Sequence, residues 1–202
     1  MTIYDLKPAF QNLLRPLCRK LATAGYTANQ VTSAAMLLSI IVGLLFALNP
    51  TASWAALLIP VWLFLRMALN AIDGMLAREH NMQSDLGGIL NELGDVVSDT
   101  ALYLPFAVVP GIPAMLVVAV VLLSILTEMA GVVAVQIGAS RRYDGPMGKS
   151  DRAFVFGLLA LLLGIGLNPG WWSTAGLVAV AALAALTTFN RAAKALQERA
   201  AT

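Results

Sequence analysis

Apolar stretches about as long as a lipid bilayer is thick dominate this chain and leave it few ways to fold. A helix needs about 20 mostly apolar residues to cross the hydrocarbon. By that measure the sequence predicts spans near 31–48, 52–72, 89–109, 113–138, 153–167 and 171–190. The expected fold class is therefore all-α, a polytopic membrane protein of six transmembrane helices plus an N-terminal amphipathic surface helix. Asn49-Pro50, Pro110-Gly111-Ile112-Pro113 and Asn168-Pro169-Gly170 fall between spans and are turn-forming combinations. Only 12% of the 202 residues are charged, against about 25% in a soluble domain. Residues 1–202 thus read as a single membrane domain with nothing left for a soluble one, residues 1–29 forming a cytoplasmic juxtamembrane helix and lead-in loop. A net charge of +2 is too small to suggest nucleic acid as a partner.

Ahead of the first span, Leu6, Phe10, Leu13, Leu14, Leu17 and Leu21 recur at helical spacing among polar residues. That pattern predicts a helix lying on the membrane surface. The opening Met1-Thr2-Ile3-Tyr4-Asp5 lacks a basic region leading into a short apolar run, so no secretory signal peptide is expected. Basic residues then orient the bundle. Lys7, Arg15, Arg19 and Lys20 precede the first span, and Arg78 ends the second. Arg141, Arg142, Lys149 and Arg152 lie between the fourth and fifth, while Arg191, Lys194 and Arg199 follow the sixth. The three turn clusters of the opposite side contain no Lys or Arg, and Arg66 alone falls outside the scheme. The positive-inside rule places both termini in the cytoplasm. Cys18, the single cysteine, excludes an internal disulfide and a cysteine metal cluster; it reads as a small apolar residue near the membrane surface.

Ionisable groups within a span are costly and need a partner, a metal or water. The second span ends with Asn70, Asp73 and Arg78, and the third opens with Asn91, Glu92, Asp95 and Asp99. At helical spacing Asn70, Asp73 and Ala77 share one face, as do Asn91, Asp95 and Asp99. A connection of about ten residues makes the two helices antiparallel neighbours. These oxygen ligands suit a hard cation, Mg²⁺ or Mn²⁺, rather than zinc. Gly74, Gly87, Gly88 and Gly94 among them let helices approach closely. The bland alternative is that the carboxylates pair with Arg66, Arg78 or Lys149.

Asp73-Gly74, then Ala77-Arg78, eight residues, Gly87 and finally Asp95 resembles the signature of the CDP-alcohol phosphatidyltransferases, and the wording from Asn70 to Asp95 is similar to a bacterial inner-membrane branch of that family. Thr27-Ala28-Asn29-Gln30-Val31-Thr32 is similar to the family's approach to its first span. The resemblance implies transfer of a phosphatidyl group from CDP-diacylglycerol to an alcohol acceptor, with release of CMP, in phospholipid synthesis. It implies metal ligands at Asn70, Asp73, Asn91 and Asp95, with Asp95 as general base or ligand. It implies a nucleotide pocket at Asn29, Thr32, Gly74, Ala77, Arg78 and Gly87. The acceptor's or lipid's phosphate would fall to Lys149 and Arg152 with Arg141 and Arg142. A multi-pass protein of the bacterial inner membrane is implied, in contact with membrane lipid and paired as a homodimer. The chain departs from the family at two places: Asn70 and Asn91 stand where the family has its first and third aspartates. Asparagine keeps a carbonyl oxygen but removes a charge. One metal rather than two, or a changed activity, is therefore open.

For Arg141 and Arg142, ordinary positive-inside bias and anionic headgroups are an equal reading. Arg66, Asp99 and Glu128 lie deeper in their spans, where a buried pair or triad among them is expected. His80 reads as a loop residue, and Trp54, Trp171 and Trp172 as an interfacial belt. Two other functions stay open: a hydrolase of the CDP-lipid, with water in place of the alcohol, and a degenerate lipid-binding membrane protein.

Overall fold

The computed structural model describes residues 3–201, with side chains from Ala9 onward; the side chains of Leu6 and Lys7, two residues of the expected surface helix, lie outside the described ones. Helices follow one another along the chain: α1 Ile3–Thr23, α2 Ala28–Leu48, α3 Ser53–Glu79, α4 Asp85–Tyr103, a 3-10 segment Leu104–Val108, α5 Ala114–Gln136, α6 Lys149–Gly164 and α7 Trp171–Ala200. Among the described residues there is no strand.

Each expected span falls on a helix, with shifted limits that have local causes. The third was expected over 89–109, but α4 starts at Asp85 and yields to the 3-10 segment at Leu104. Ser84 caps its start by accepting the Gly87 N–H at 3.0 Å. Pro105 ends it, because the ring removes an amide and crowds the preceding turn. The fifth was expected over 153–167, but α6 begins at Lys149, where Asp151 accepts the Gly148 N–H at 2.9 Å. By length and apolar composition α2, α3, α5 and α7 can cross a membrane. Helix α4 falls short because it carries Asp85, Glu92, Asp95 and Asp99, and α6 because it has 16 residues.

The chain divides into two compact units. The first comprises Met1–Ile41 and Val61–Ser98. Its core gathers Cys18, Val31, Ile72, Met75 and Leu76, with Leu14 and Leu21 packed against them. Helix α1 thus turns Leu14, Cys18 and Leu21 inward while Leu13 and Leu17 stay exposed. Arg15 grips Glu79 at the end of α3 through two bonds of 2.9 and 3.2 Å. Helix α2 opens with a reciprocal cap: Gln30 donates its N–H to the Thr27 hydroxyl, and Thr27 donates its N–H to the Gln30 side chain. This satisfies two amides that a helix start otherwise leaves bare.

The second unit comprises Val42–Pro60 and Asp99–Thr202. Gly43 lies so close to the Ala101 carbonyl that a Cβ there would sit 2.0 Å from the oxygen, so α2 and α4 meet backbone to backbone. Phe46, Phe106 and Phe156 interlock edge to face, and Tyr103 stacks on Phe156 at 4.1 Å. Helices α5 and α7 share hydroxyl contacts, Thr127 to Thr188 at 3.0 Å and Thr127 to the Ala184 carbonyl at 3.3 Å. Such contacts hold apolar helices together where lipid supplies no hydrophobic drive.

Candidate functional site

Two helix starts and one helix end within the first unit enclose a cavity of about 520 Å³. Asn29 and Thr32 come from the first turns of α2, and Asp73, Gly74, Ala77 and Arg78 from the last turns of α3. Gln83 and Ser84 of the connecting loop and Asp85, Gly87, Gly88 and Asn91 of α4 complete the wall. The N-termini of α2 and α4 both open here. Unpaired N–H groups and the positive end of the helix dipole make such a place favourable for phosphate.

The side chains are organised around that opening. Asn29 donates its amide to the Ser84 hydroxyl at 3.3 Å, joining the two helix starts. A Cβ at position 87 would lie 2.7 Å from the Asn29 Oδ1 and 3.1 Å from the Ser84 Oγ, so only glycine leaves that bridge undisturbed. Gly74 makes room for the Arg78 guanidinium, which a Cβ there would approach to 2.8 Å. Arg78 is exposed at the cavity wall, whereas Asp73 is only 6% exposed. The Thr32 hydroxyl donates to the Asp73 Oδ2 at 2.8 Å, a charge-assisted bond that fixes the carboxylate.

The residues expected at the nucleotide pocket, Asn29, Thr32, Gly74, Ala77, Arg78 and Gly87, line this one cavity together with Asp73 and Asn91. Of the expected metal ligands, Asp73 and Asn91 line the cavity. Asp95 accepts from the Arg66 guanidinium at 3.2 Å and from the Asn70 amide at 3.4 Å, and Arg66 also donates to the Asp95 backbone carbonyl at 3.2 Å. Neither Asn70 nor Asp95 is among the lining residues. No group of three or more His, Cys, Asp or Glu side chains is placed to hold a metal among the described residues. The reason lies in the two asparagines, which remove carboxylates from the set, and in Arg66, which takes up Asp95. What the cavity wall offers a hard cation is the Asp73 and Asp85 carboxylates and the Asn91 amide. That fits one ion completing its shell with a ligand's phosphate oxygens, as Mg²⁺ commonly does; it does not fit a cage made by protein alone.

In the second unit Arg152 and Arg191 are buried, and Arg141 and Arg142 pair with carboxylates. Arg152 is fully buried and places its NH2 2.7 Å from Glu128 and 3.5 Å from Asp99. Arg191 and Arg141 reach the other Glu128 oxygen at 3.2 and 3.3 Å. Arg141 also covers the Tyr143 ring at 4.4 Å. Arg142 pairs with Asp144 at 2.8 Å and Glu198 at 2.6 Å. Among the residues expected in a buried pair or triad, Asp99 and Glu128 both contact Arg152, and Arg66 contacts Asp95. Arg152, expected at an acceptor phosphate, lies buried between these carboxylates, and Lys149 is half-buried at the first turn of α6. Gln83, Ser84 and Asp85, which also line the cavity, were missed from sequence. The signal for Ser84 was its place three residues before Gly87, the position of a helix cap.

The family profile of the CDP-alcohol phosphatidyltransferases matches residues 25–189, and the chain belongs to this family. It is 50% identical over 185 residues, 88% of its own length and 90% of the relative's, to the inner membrane protein YnbA of Escherichia coli (strain K12). The fold is also that of phosphatidylinositol phosphate synthase from Mycobacterium tuberculosis. The form of that protein in complex with manganese and citrate aligns with a TM-score of 0.75 and 19% identity, over 90% of this chain and 88% of that one. The form with CDP-DAG bound gives 0.74 and 19%, over 91% and 92%.

Proposed function

We propose that this protein transfers a phosphatidyl group from CDP-diacylglycerol to an alcohol, releasing CMP, and that the cavity in the first unit receives the CDP moiety. The carrying observation is that Asn29, Thr32, Asp73, Gly74, Ala77, Arg78 and Gly87 line one cavity at the starts of α2 and α4. Family membership and the manganese and CDP-DAG bound to the structural relative support the same reading. The pyrophosphate lies against the two helix N-termini, with Arg78 adding charge to a phosphate oxygen. Asp73 and Asn91, which line the same cavity, would hold the divalent ion. When bound, Mg²⁺ or Mn²⁺ neutralises phosphate charge and charge developing on the leaving CMP.

Asp95 takes the proton of the acceptor hydroxyl. The alcohol oxygen bonds to the phosphatidyl phosphorus, the bond from that phosphorus to the bridging oxygen breaks, and CMP leaves with the electron pair. Thr32 and Arg66 keep their carboxylates in fixed orientation, which is where positioning lowers the barrier. We further propose one membrane domain whose six helices α2–α7 cross the inner membrane, with α1 on its cytoplasmic surface and both termini inside. The family habit of homodimers is proposed for this chain as well.

Purified protein, CDP-diacylglycerol, Mg²⁺ or Mn²⁺ and a panel of alcohols, with lipid products identified by mass, test this reading. A new phosphatidyl lipid and CMP that both depend on one alcohol are expected. CMP release undiminished without any alcohol would instead establish a hydrolase. Function retained by Asp95→Ala would establish a lipid-binding role.

A further inference from the structure

Helix α1 packs on the back of the turns that carry the cavity. Cys18 is fully buried in a cluster with Ala28, Val31, Ile72, Met75 and Leu76, and Leu14 and Leu21 pack against it. Ala28 of this cluster, and Ala77 and Met82 packed against it, also line the cavity. Arg15 grips Glu79, the last residue of α3 and the neighbour of Arg78. Phe10 meets the Phe64 ring edge to face at 6.3 Å. Helix ends fray most readily, so the turn bearing Arg78 depends on what holds it from outside. The outward strip of α1 has a different character. Leu13 is 75% and Leu17 48% exposed, and Arg19 and Lys20 are exposed as well. Residues 13, 17 and 20 follow one another along one face. Leucines with a cation at their edge fit the headgroup boundary of an anionic bilayer, where the ammonium meets phosphate while the leucines leave water.

We infer that α1 senses anionic lipid: the strip of Leu13, Leu17 and Lys20, with Arg19, docks on the phosphate-bearing surface of the bilayer, and Arg15 transmits that docking to the end of α3, so that CDP binds more tightly when anionic lipid surrounds the protein. This rests on the readings of the cavity as the CDP site and of α1 as a surface helix given above. The occupant follows from charge and from the fold. Arg19 and Lys20 call for an anion, and the exposed leucines beside them call for hydrocarbon. An anionic bilayer supplies both to a chain four of whose helices are long and apolar enough to cross it. A soluble anion would leave Leu13 and Leu17 in water. The coupling follows from where α1 holds on. Docking fixes α1, α1 fixes Glu79, and the turns before it then present Asp73, Gly74, Ala77 and Arg78 to the cavity together. An undocked α1 lets the end of α3 fray, first at Arg78. The Arg15–Glu79 pair is about one-third exposed on both sides and so contributes little to stability. Its paired bonds fix direction, which suits a positioning role.

Full-length protein in nanodiscs of phosphatidylcholine alone, or with part of it replaced by phosphatidylglycerol, tests this with radiolabelled CDP at saturating Mn²⁺. Empty discs and discs carrying Asp73→Ala supply the background, and the number of chains per disc is held the same. A negative surface by itself repels CDP, so surface charge alone cannot produce a gain. The unaltered protein should bind CDP about tenfold more tightly in the anionic discs. The Arg19→Gln, Lys20→Gln double variant should bind equally in both, with the affinity of the unaltered protein in phosphatidylcholine. Arg15→Gln, which keeps the docking strip, should lose the gain as well. Equal affinity of the unaltered protein in the two discs overturns the inference, leaves the CDP site intact and needs no variant that might fail to fold. A gain kept by the double variant, or by a folded Arg15→Gln protein, also overturns it. A gain that follows the number of chains per disc would assign the strip to a second copy, and an equal gain from soluble polyglutamate would assign it to an acidic protein; either overturns the inference. No CDP binding in either disc overturns the cavity reading itself, and this inference with it.

Discussion

Asp73 and Gly87 show how single positions govern the cavity. The Asp73 carboxylate is the cavity wall's buried charge, oriented by Thr32. Asp73→Asn keeps the shape and removes the charge, and should lower the rate of CMP release by about 100-fold or more, the scale of losing one electrostatic contact to a reacting group. Gly87→Ala should raise the KM for CDP-diacylglycerol by about tenfold, about 1.4 kcal/mol of binding, with little change in melting temperature. The new methyl group displaces Asn29 toward the ligand, while alanine is itself the better helix former. Steady-state kinetics beside a thermal melt separates the two effects. At this scale the sequence was informative wherever spacing along one helix decided the matter, as for Asp73, Gly74, Ala77 and Arg78. The Arg66–Asp95 and Asn70–Asp95 contacts join α3 to α4, and nothing in the linear order sets how two helices rotate about their axes. Ser84 was hidden for a different reason, since a serine in a loop announces itself as a cap only once the following turn is known.

Helix starts, buried ion pairs and the α5–α6 connection belong to the scale of elements. Thr27→Ala should cost about 1 kcal/mol through loss of the α2 cap, read as a lowered melting midpoint. Glu128→Gln should cost about 3–5 kcal/mol, because buried Arg191 and Arg152 would both lose the Glu128 charge, Arg152 keeping Asp99 at 3.5 Å. The same measurement checks this, with Glu128→Asp as the milder control. The connection between α5 and α6 is strapped to α7: Asp144 pairs with Lys194 at 2.9 Å and with Arg142 at 2.8 Å, and Gly145 takes a φ of +119° within a Cβ's clash of Thr187. The Lys194 ammonium, and then the Arg142 guanidinium, hold the Asp144 carboxyl below its ordinary range against the opposing effect of burial. A depressed carboxylate stabilises the folded form above its ordinary pKa, and that stabilisation disappears as pH falls through the folded value. Amide protection in residues 137–148, corrected for the intrinsic pH dependence of exchange, should therefore fall on acidification below the usual carboxylate range, and Asp144→Asn should weaken that dependence, with Glu198, held low by Ser140 and Arg142, carrying the rest. Element existence was readable from apolar length, but element ends were not. Pro105 and the Asp151 cap set the limits of α4 and α6, and a search for apolar runs passes over polar first turns.

For the whole molecule, the asymmetry of Lys and Arg carries the orientation. Cysteines introduced singly into a Cys18→Ser background test it by labelling with a membrane-impermeant reagent in intact cells. Positions 51, 113 and 168 should label from outside, and positions 82, 143 and 201 only after the membrane is opened. Labelling of 143 from outside, with 82 and 201 still inside, would remove both α4 and α6 from the set of crossing helices, the two that apolar composition alone supports least. The central claim, however, concerns the cavity between the starts of α2 and α4 and the end of α3. Calorimetric titration of CDP with Mn²⁺ into the full-length protein and into Asp73→Ala and Gly87→Leu addresses it directly. The account predicts binding to the unaltered protein that weakens at least about tenfold in both variants, while Lys194→Ala binds as before. Equal affinity across all four proteins would contradict it.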